Sequence, residues 1–252
     1  MKVLAITQAR IGSTRLPNKV LKKIGEKTLL QMHLERVKRS KLIHQLIVAT
    51  TEEIGSEAIV DVANIVGVKT FKGNLYDVLD RFYSAYKVFG ADAIVRVTSD
   101  CPLIDPMLID SVIKLFFESG CDYVSNTLNP TFPDGVDVEI FKASALERAW
   151  HEATLKSDRE HVSAYIWKNS TFLGKDKFQS RCFENDLNYA QYRLTVDTQD
   201  DFARIEKLVE LIGDQRPWPD YVSCIEQHKE IFDKIKAEER NLGYVKSLER
   251  DK

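Results

Sequence analysis

Short apolar runs alternate with segments of helical spacing along the first half of the chain, and this alternation limits the fold more than any other feature. Lys2 to Thr7, Gln45 to Thr50, Val68 to Phe71, Ala93 to Thr98 and Asp122 to Ser125 read as short buried strands. Leu29 to Val37, Ser56 to Val66, Leu75 to Phe89 and Met107 to Phe117 carry apolar residues three and four apart, as helices with one buried face do. Gly67 is a C-terminal stop for the second of these. Strands and helices alternating at such short spacing predict an α/β fold with a mostly parallel sheet covered on both faces.

After residue 125 the pattern loosens. Asn126 to Gly135 is rich in turn formers. Val136 to Phe141 reads as a strand, Ala143 to Leu155 and Arg159 to Lys168 as helices, and Ser170 to Tyr192 has no clean period. Tyr192 to Val196 reads as a returning strand. Thr198, with Asp201 three residues on, is a natural N-cap for a helix over Asp200 to Ile212, and Pro219 to Ile235 reads as a last helix. The 252 residues are thus taken as one domain, with 126–192 inserted to cover a site or make a subunit contact. Residues 237–252 are expected to form a charged tail, a solvated helix or a frayed end. The basic cluster Arg36, Lys38, Arg39 and Lys41 is expected to be a solvated helix end.

Composition narrows the function. The 44% hydrophobic content can fill a sizeable core, and 36 basic residues nearly balance 38 acidic ones. A net charge of -2 argues against general nucleic-acid binding but leaves room for a local cationic pocket. No apolar run approaches a membrane span and no signal peptide is seen, so a cytoplasmic protein is expected. The four cysteines form no C-x-x-C pair and the five histidines no metal-ligand spacing. Reduced thiols and no structural zinc site are therefore expected.

Ligands in an open parallel sheet bind beyond the carboxyl ends of the strands, and three polar clusters fall there. The first is the loop Gln8-Ala9-Arg10-Ile11-Gly12-Ser13-Thr14-Arg15-Leu16-Pro17-Asn18-Lys19. Arg10, Ser13, Arg15 and Lys19 are suited to phosphate oxygens, and Gly12 would let backbone N–H groups approach them. The loop has neither a Walker-type nor a dinucleotide-binding glycine pattern. Asp100 and Asp197 stop two other strands. Two carboxylates converging on a phosphate site can hold magnesium; the alternative for each is a turn or cap residue. Asp77 and Arg81 are spaced as an (i, i+4) pair.

These stretches resemble a known family. Gln8-Ala9-Arg10, Ser13-Thr14-Arg15-Leu16-Pro17 and Lys19 resemble the N-terminal signature of the cytidylyltransferases that activate acidic sugars, the Kdo and acylneuraminate enzymes among them. Arg96-Val97-Thr98-Ser99-Asp100-Cys101-Pro102 is similar to their second motif, and Val196-Asp197-Thr198 with Asp201-Phe202 to their late metal-binding motif. Asp77-Val78-Leu79-Asp80-Arg81, Thr131-Phe132-Pro133-Asp134-Gly135 and Arg159-Glu160-His161-Val162 are closest to the branch of spore coat polysaccharide biosynthesis protein F.

The resemblance covers residues 1 to 212. It implies a three-layer, doubly wound nucleotide-diphospho-sugar transferase fold, CTP and an acidic keto-sugar as substrates, magnesium as cofactor and, through the inserted segment, a homodimer. Carried over, Gln8, Ala9, Arg10, Gly12, Ser13, Arg15, Lys19, Asp80, Arg81 and Thr98 would meet the nucleotide. Lys19, Arg15 and Asp100 would act in catalysis, and Asp100 with Asp197 would hold the metal. Asn18 stands where the family has glycine, and Cys101 where Kdo enzymes have Glu. No general base is evident, with His161 and Glu139 as minor candidates. The rival readings are a glycosyltransferase, against which the lack of a D-x-D motif counts, and a non-catalytic nucleotide-binding protein.

Overall fold

The computed structural model describes residues 1–13, 15–235 and 240–252. Thr14 of the opening loop and residues 236–239 of the tail lie outside them. The strands are β1 (Val3–Gln8), β2 (Lys23–Ile24), β3 (Lys27–Thr28), β4 (Gln45–Thr51), β5 (Lys69–Gly73), β6 (Ala93–Thr98), β7 (Tyr123–Ser125), β8 (Glu139–Lys142) and β9 (Ser180–Cys182). The α-helices are α1 (Leu29–Val37), α2 (Glu57–Val66), α3 (Val78–Phe89), α4 (Pro106–Ser119), α5 (Ala143–Glu152), α6 (Lys156–Glu160), α7 (Ala164–Lys168), α8 (Gln199–Ile212), α9 (Trp218–Gln227), α10 (Lys229–Phe232) and α11 (Leu242–Leu248).

Seven strands form one sheet in the order β5-β4-β1-β6-β8-β7-β9, and β2-β3 is a separate hairpin. β1 pairs in parallel with both β4 and β6, so the chain winds outward to β5 and then jumps back to β6 on the other side of β1. The topological switch point therefore lies between β1 and β6, the two strands whose ends carry the first two polar clusters. β8 enters between β6 and β7 antiparallel to both, which makes the sheet mixed at that edge. Because it supplies β8 and β9, the 126–192 segment is woven into the sheet.

Both faces of the central strands are covered, which explains why these strands read as continuous apolar runs. Val3, Ala5, Val48, Val95 and Val97 pack with α1, α2, α4, α8 and α9. Leu4, Ile6, Ile47, Ala49 and Ile94 pack with α3, α5 and Val162 and Ile166 on the opposite face. Caps set the helix starts that matter here. Thr28 caps α1, Asp77 caps α3, Asp105 caps α4 ahead of Pro106, and Thr198 and Asp201 form the reciprocal capping box of α8. Gly67, at φ +71°, ends α2 as expected.

Several sequence expectations are corrected. Tyr192 to Val196 is not a strand: it carries a single bridge, Asp134 to Arg193, because it leaves the sheet to run over the Asp100 turn. Residues 136–138 are not in a strand, and β8 begins at Glu139. The helix expected over Arg159 to Lys168 is two short helices broken at Val162, whose φ is +55°. The last expected helix is likewise split at His228. Arg36 is no solvated helix end. It is fully buried, with its guanidinium donating to the carbonyls of Ile104, Asp214 and Arg216 at 2.6–2.8 Å. Such an arrangement satisfies a buried cation by carbonyl dipoles alone. Of the tail, residues 240–252 fold back as α11 and a closing turn, with Ser247 buried.

Candidate functional site

The loop after β1, the turn after β6 and the segment before α8 meet at one point. The Lys19 ammonium stands 3.0 Å from Asp100 Oδ2 and 2.9 Å from Asp197 Oδ1. Arg15 reaches the same Asp197 oxygen at 2.9 Å, and Arg193 takes Asp197 Oδ2 at 2.9 Å. Burial, the largest single influence, would raise the Asp100 carboxyl, but the Lys19 charge together with hydrogen bonds from Lys19, Thr98 and the backbone outweighs it and holds the group well below the usual carboxylate range. Burial likewise opposes the Lys19 charge, yet the two carboxylates keep its pKa above the ordinary lysine value.

Local chemistry explains the convergence. Lys19 opens a 3-10 turn whose cap, Asn18, has φ +53°. Glycine adopts this left-handed geometry freely and asparagine tolerates it, so Asn18 fits the position. The Asp100 turn is stitched in from two sides. Its carbonyl accepts from Val196 N (2.8 Å) and the Thr195 hydroxyl (3.2 Å), while Ser99 Oγ donates to Gln8 O (2.7 Å). His33 fastens it from behind: Nδ1 donates to Cys101 O (2.9 Å) and Nε2 accepts from the Thr7 hydroxyl (2.6 Å). Both bonds suit a neutral imidazole, and burial pushes His33 down to about 4. Burial pushes the Cys101 thiol up, so it is an inert packing group.

Gly135 is a second fixed point. Its φ is +109°, and a Cβ there would come within 2.4 Å of the Leu194 carbonyl carbon. Only glycine lets the 131–135 loop lie against residues 193–195. That contact brings Asp134 to Arg193, whose guanidinium also pairs with Asp197 and Asp201.

These groups line a cavity of about 1250 Å³. A single small-molecule site usually occupies roughly 300–1,000 Å³, so this one has room for two reactants. One wing lies towards the end of β5 and the start of α3, with Arg10, Asn74, Tyr76, Asp77 and Arg81. The other lies towards β8, with Arg96, Glu139, His161, Ser163 and Trp167.

Of the residues singled out from the sequence, Gln8, Ala9, Arg10, Ser13, Arg15, Lys19, Arg81, Thr98, Asp100 and Asp197 line this cavity. Gly12 and Asp80 do not. Gly12 abuts Glu53, whose Oε1 lies 2.9 Å from where a Cβ would stand. The Asp80 carboxylate accepts instead from the Trp150 indole at 2.8 Å. The expected Asp77–Arg81 pair does not form: Asp77 caps α3 and binds Arg159 at 2.6 Å. Arg81 is 2% exposed, and among the described residues its Nε and Nη1 have no hydrogen-bond partner. Two orphaned donors on a buried guanidinium at a cavity wall leave hydrogen-bonding capacity that a ligand could use.

The far wing holds a buried polar network built on Arg96, of the second motif, and Glu139, a minor candidate for general base. Arg96 pairs with Glu139 Oε1, while Oε2 accepts from the Tyr123 hydroxyl (2.7 Å) and from Ser163. Arg96 Nε also reaches Gln8 Oε1 at 3.4 Å, so the network touches the opening loop. Both Glu139 oxygens are thus engaged, and the Tyr123 and Ser163 partners had no mark in the sequence.

Two carboxylates already sharing one cation have the donor chemistry of a magnesium site, which needs few protein ligands. Among the described residues no cluster of three or more His, Cys, Asp or Glu could hold a metal, so a metal here would rely on phosphate oxygens and water for its remaining ligands.

The cytidylyltransferase family model matches residues 4–236, almost the whole chain. The chain belongs to the cytidylyltransferase family. It is 40% identical over 240 residues to the uncharacterized protein MJ1063 of Methanocaldococcus jannaschii, covering 94% of this chain and 96% of that one. It is 33% identical over 218 residues to the spore coat polysaccharide biosynthesis protein SpsF of Bacillus subtilis, covering 84% and 88%. Among solved structures, a cytidylyltransferase from Leptospira borgpetersenii superposes with a TM-score of 0.87 at 33% identity, covering 95% of this chain and all of that one. A CMP:2-keto-3-deoxy-manno-octonic acid synthetase complexed with CTP superposes at 0.65 and 16% identity, covering 84% and 99%. At that distance the likeness speaks for the nucleotide-diphospho-sugar transferase fold alone. Among the described residues no helix is long and apolar enough to cross a membrane.

Proposed function

We propose that this cytidylyltransferase joins CTP to a hydroxyl of a sugar, an acidic keto-sugar by likeness to its relatives, for the assembly of a surface polysaccharide. The observation that carries the reading is Lys19 held between Asp100 and Asp197 at the sheet's switch point, inside a cavity with room for two reactants. The sugar oxygen attacks the α-phosphorus of CTP. A new P–O bond forms, the bond to the β-phosphate breaks, pyrophosphate leaves, and the hydroxyl proton passes to water. Such transfers depend on positioning and on stabilising charge.

The roles follow from position. Arg10, Ser13, Arg15 and Lys19 grip the triphosphate, and Lys19 and Arg15 stabilise the departing pyrophosphate. To do so they exchange their present carboxylate partners for phosphate oxygens, which frees Asp100 and Asp197. Those two acids would hold magnesium, which when bound supplies positive charge at the phosphates. The orphaned donors of Arg81, in the wing beside α3, meet acceptor atoms of the nucleoside.

A pyrophosphate-release screen of CTP, UTP, GTP and ATP against keto-sugar acids and neutral sugars, with magnesium, tests the reading. Release with CTP and a keto-sugar acid is expected. Release only with another nucleotide overturns the cytidylyl assignment, and release only with neutral sugars overturns the acceptor.

A further inference from the structure

The C-terminal segment was expected to be a solvated helix or a frayed end, yet residues 240–251 lie across the wing of the cavity that faces β8. Arg240 fixes one end, donating to Asp137 Oδ1 at 2.5 Å and to the Phe132 carbonyl at 3.1 Å. Asp251 fixes the other, accepting from Ser157 N at 2.9 Å, with Arg250 paired to Glu160 at 3.0 Å. Between these anchors Tyr244 packs edge-on against His161 and Trp167, with ring centroids 5.1 and 5.7 Å apart, and the Lys168 ammonium lies 5.5 Å from its ring centroid. Leu242, Tyr244 and Arg250 line the cavity.

Two further observations give this wall a meaning. It lies outside the stretch matched by the family model, which ends at residue 236. The cationic loop after β1, by contrast, lies inside the matched stretch. In addition, His161 Nε2, beside this wall, is buried and has no hydrogen-bond partner among the described residues. Burial keeps this imidazole neutral at physiological pH, so the nitrogen can meet a hydroxyl as either donor or acceptor.

We propose that the segment 240–251 is the acceptor-reading wall of the site, with Tyr244 covering the apolar C–H face of a sugar ring and His161 taking one of its hydroxyls. This rests on the reading of the cavity as a site for CTP and a sugar. An aromatic face suits the carbon side of a pyranose, and an unpartnered buried nitrogen suits a hydroxyl that arrives with its own donor and acceptor. Arg240, held by Asp137, sets the position of the wall without touching the sugar.

The test is kinetic, using CTP with 3-deoxy-octulosonate, N-acetylneuraminate, mannose and N-acetylglucosamine in the pyrophosphate assay. Tyr244→Ala should raise the KM for the acceptor roughly tenfold while leaving kcat and the KM for CTP within about twofold. Tyr244→Phe should restore the acceptor KM, because the ring and not the hydroxyl makes the contact. Arg240→Ala, which loosens the wall from outside, should move acceptor KM in the same direction. Thermal melting and CTP titration confirm that each variant is folded. An unchanged acceptor KM in Tyr244→Ala overturns the proposal and leaves the cytidylyl reading standing. A parallel rise in the KM for CTP also overturns it, because it puts Tyr244 on the nucleotide. Failure of the wild-type protein to bind CTP overturns the underlying reading, and with it the proposal.

Discussion

Two charged clusters line the same cavity and are built in opposite ways. At the centre, Lys19 is shared between Asp100 and Asp197, and Asp197 is shared in turn among Lys19, Arg15 and Arg193. The carboxylates there keep 29% and 21% of their side-chain surface, and the charges can exchange partners. In the β8 wing, Arg96 and Glu139 keep 12% and 10%, and both Glu139 oxygens are already engaged. A cluster of the first kind can yield its cations to an incoming polyanion at low cost. One of the second kind cannot rearrange without leaving a buried charge unpaired. The centre is therefore built for chemistry and the wing for shape.

Substitutions should separate the two. Lys19→Ala is expected to lower pyrophosphate release by ~10²–10³-fold, the usual scale for losing one charge-stabilising donor. Its melting temperature should fall modestly: Arg15 and Arg193 still hold Asp197, and Asp100, which loses Lys19, keeps 29% of its side-chain surface in water. Near-normal turnover in Lys19→Ala would remove the loop from the mechanism. Glu139→Ala should do the reverse first. It leaves Arg96 unpaired and the Tyr123 and Ser163 hydroxyls without their acceptor, at a cost of about 3–5 kcal/mol in stability. Urea unfolding of the variant measures this, and a midpoint like that of the parent would show the network to be dispensable.

The same contrast explains what the sequence could disclose. The alternating apolar runs made the sheet and its covering helices legible, because burial on both faces leaves a compositional trace in each strand. Asp100 and Asp197 were legible because polar residues that abruptly end apolar runs stand out, and Lys19 because it closes a loop rich in cations and hydroxyls. Their mutual ion pairs were not, since the parts are 81 and 178 residues apart and only the strand order brings them together. Arg36 was misread because a cation satisfied by three distant carbonyls looks, in sequence, like any helix-end arginine. The tail was misread for a related reason: Tyr244 and Arg240 sit in a charged stretch, and their partners His161, Trp167 and Asp137 lie far upstream.

Acidification probes both regions together. His33 lies behind the central cluster and His161 in the wing, and burial pushes each imidazole from 6.5 to about 4. Between those values the unfolded chain takes up protons that the native state does not. The contribution of these two imidazoles to stability is therefore full above pH 6.5 and falls as the pH drops towards 4, by up to about 1.4 kcal/mol per pH unit for each group. His161→Gln removes one of the two and should flatten the acid limb of a plot of melting temperature against pH. Parallel limbs for the two proteins would show that His161 is not held neutral.

The smallest expected effect lies beneath the central cluster. Exchangeable charges need a rigid support, and Asp201 provides it: fully buried, it accepts from the backbone N–H of Asp197 (2.9 Å) and Thr198 (3.0 Å) and holds Arg193 at 2.7 Å. Thr198 completes the capping box by accepting from Asp201 N at 3.2 Å. Thr198→Ala removes that one bond and should cost about 1 kcal/mol, or about 2–4 °C in melting temperature for a chain of this size. Thr198→Ser should be nearly neutral. Turnover in Thr198→Ala should stay close to the parent, because Asp201 still fastens both Arg193 and the Asp197 backbone. A large loss of turnover with that small loss of stability would mean that the cap, and not Asp201, sets the position of Asp197. The boundary between the fixed support and the exchangeable charges would then lie one residue nearer the site.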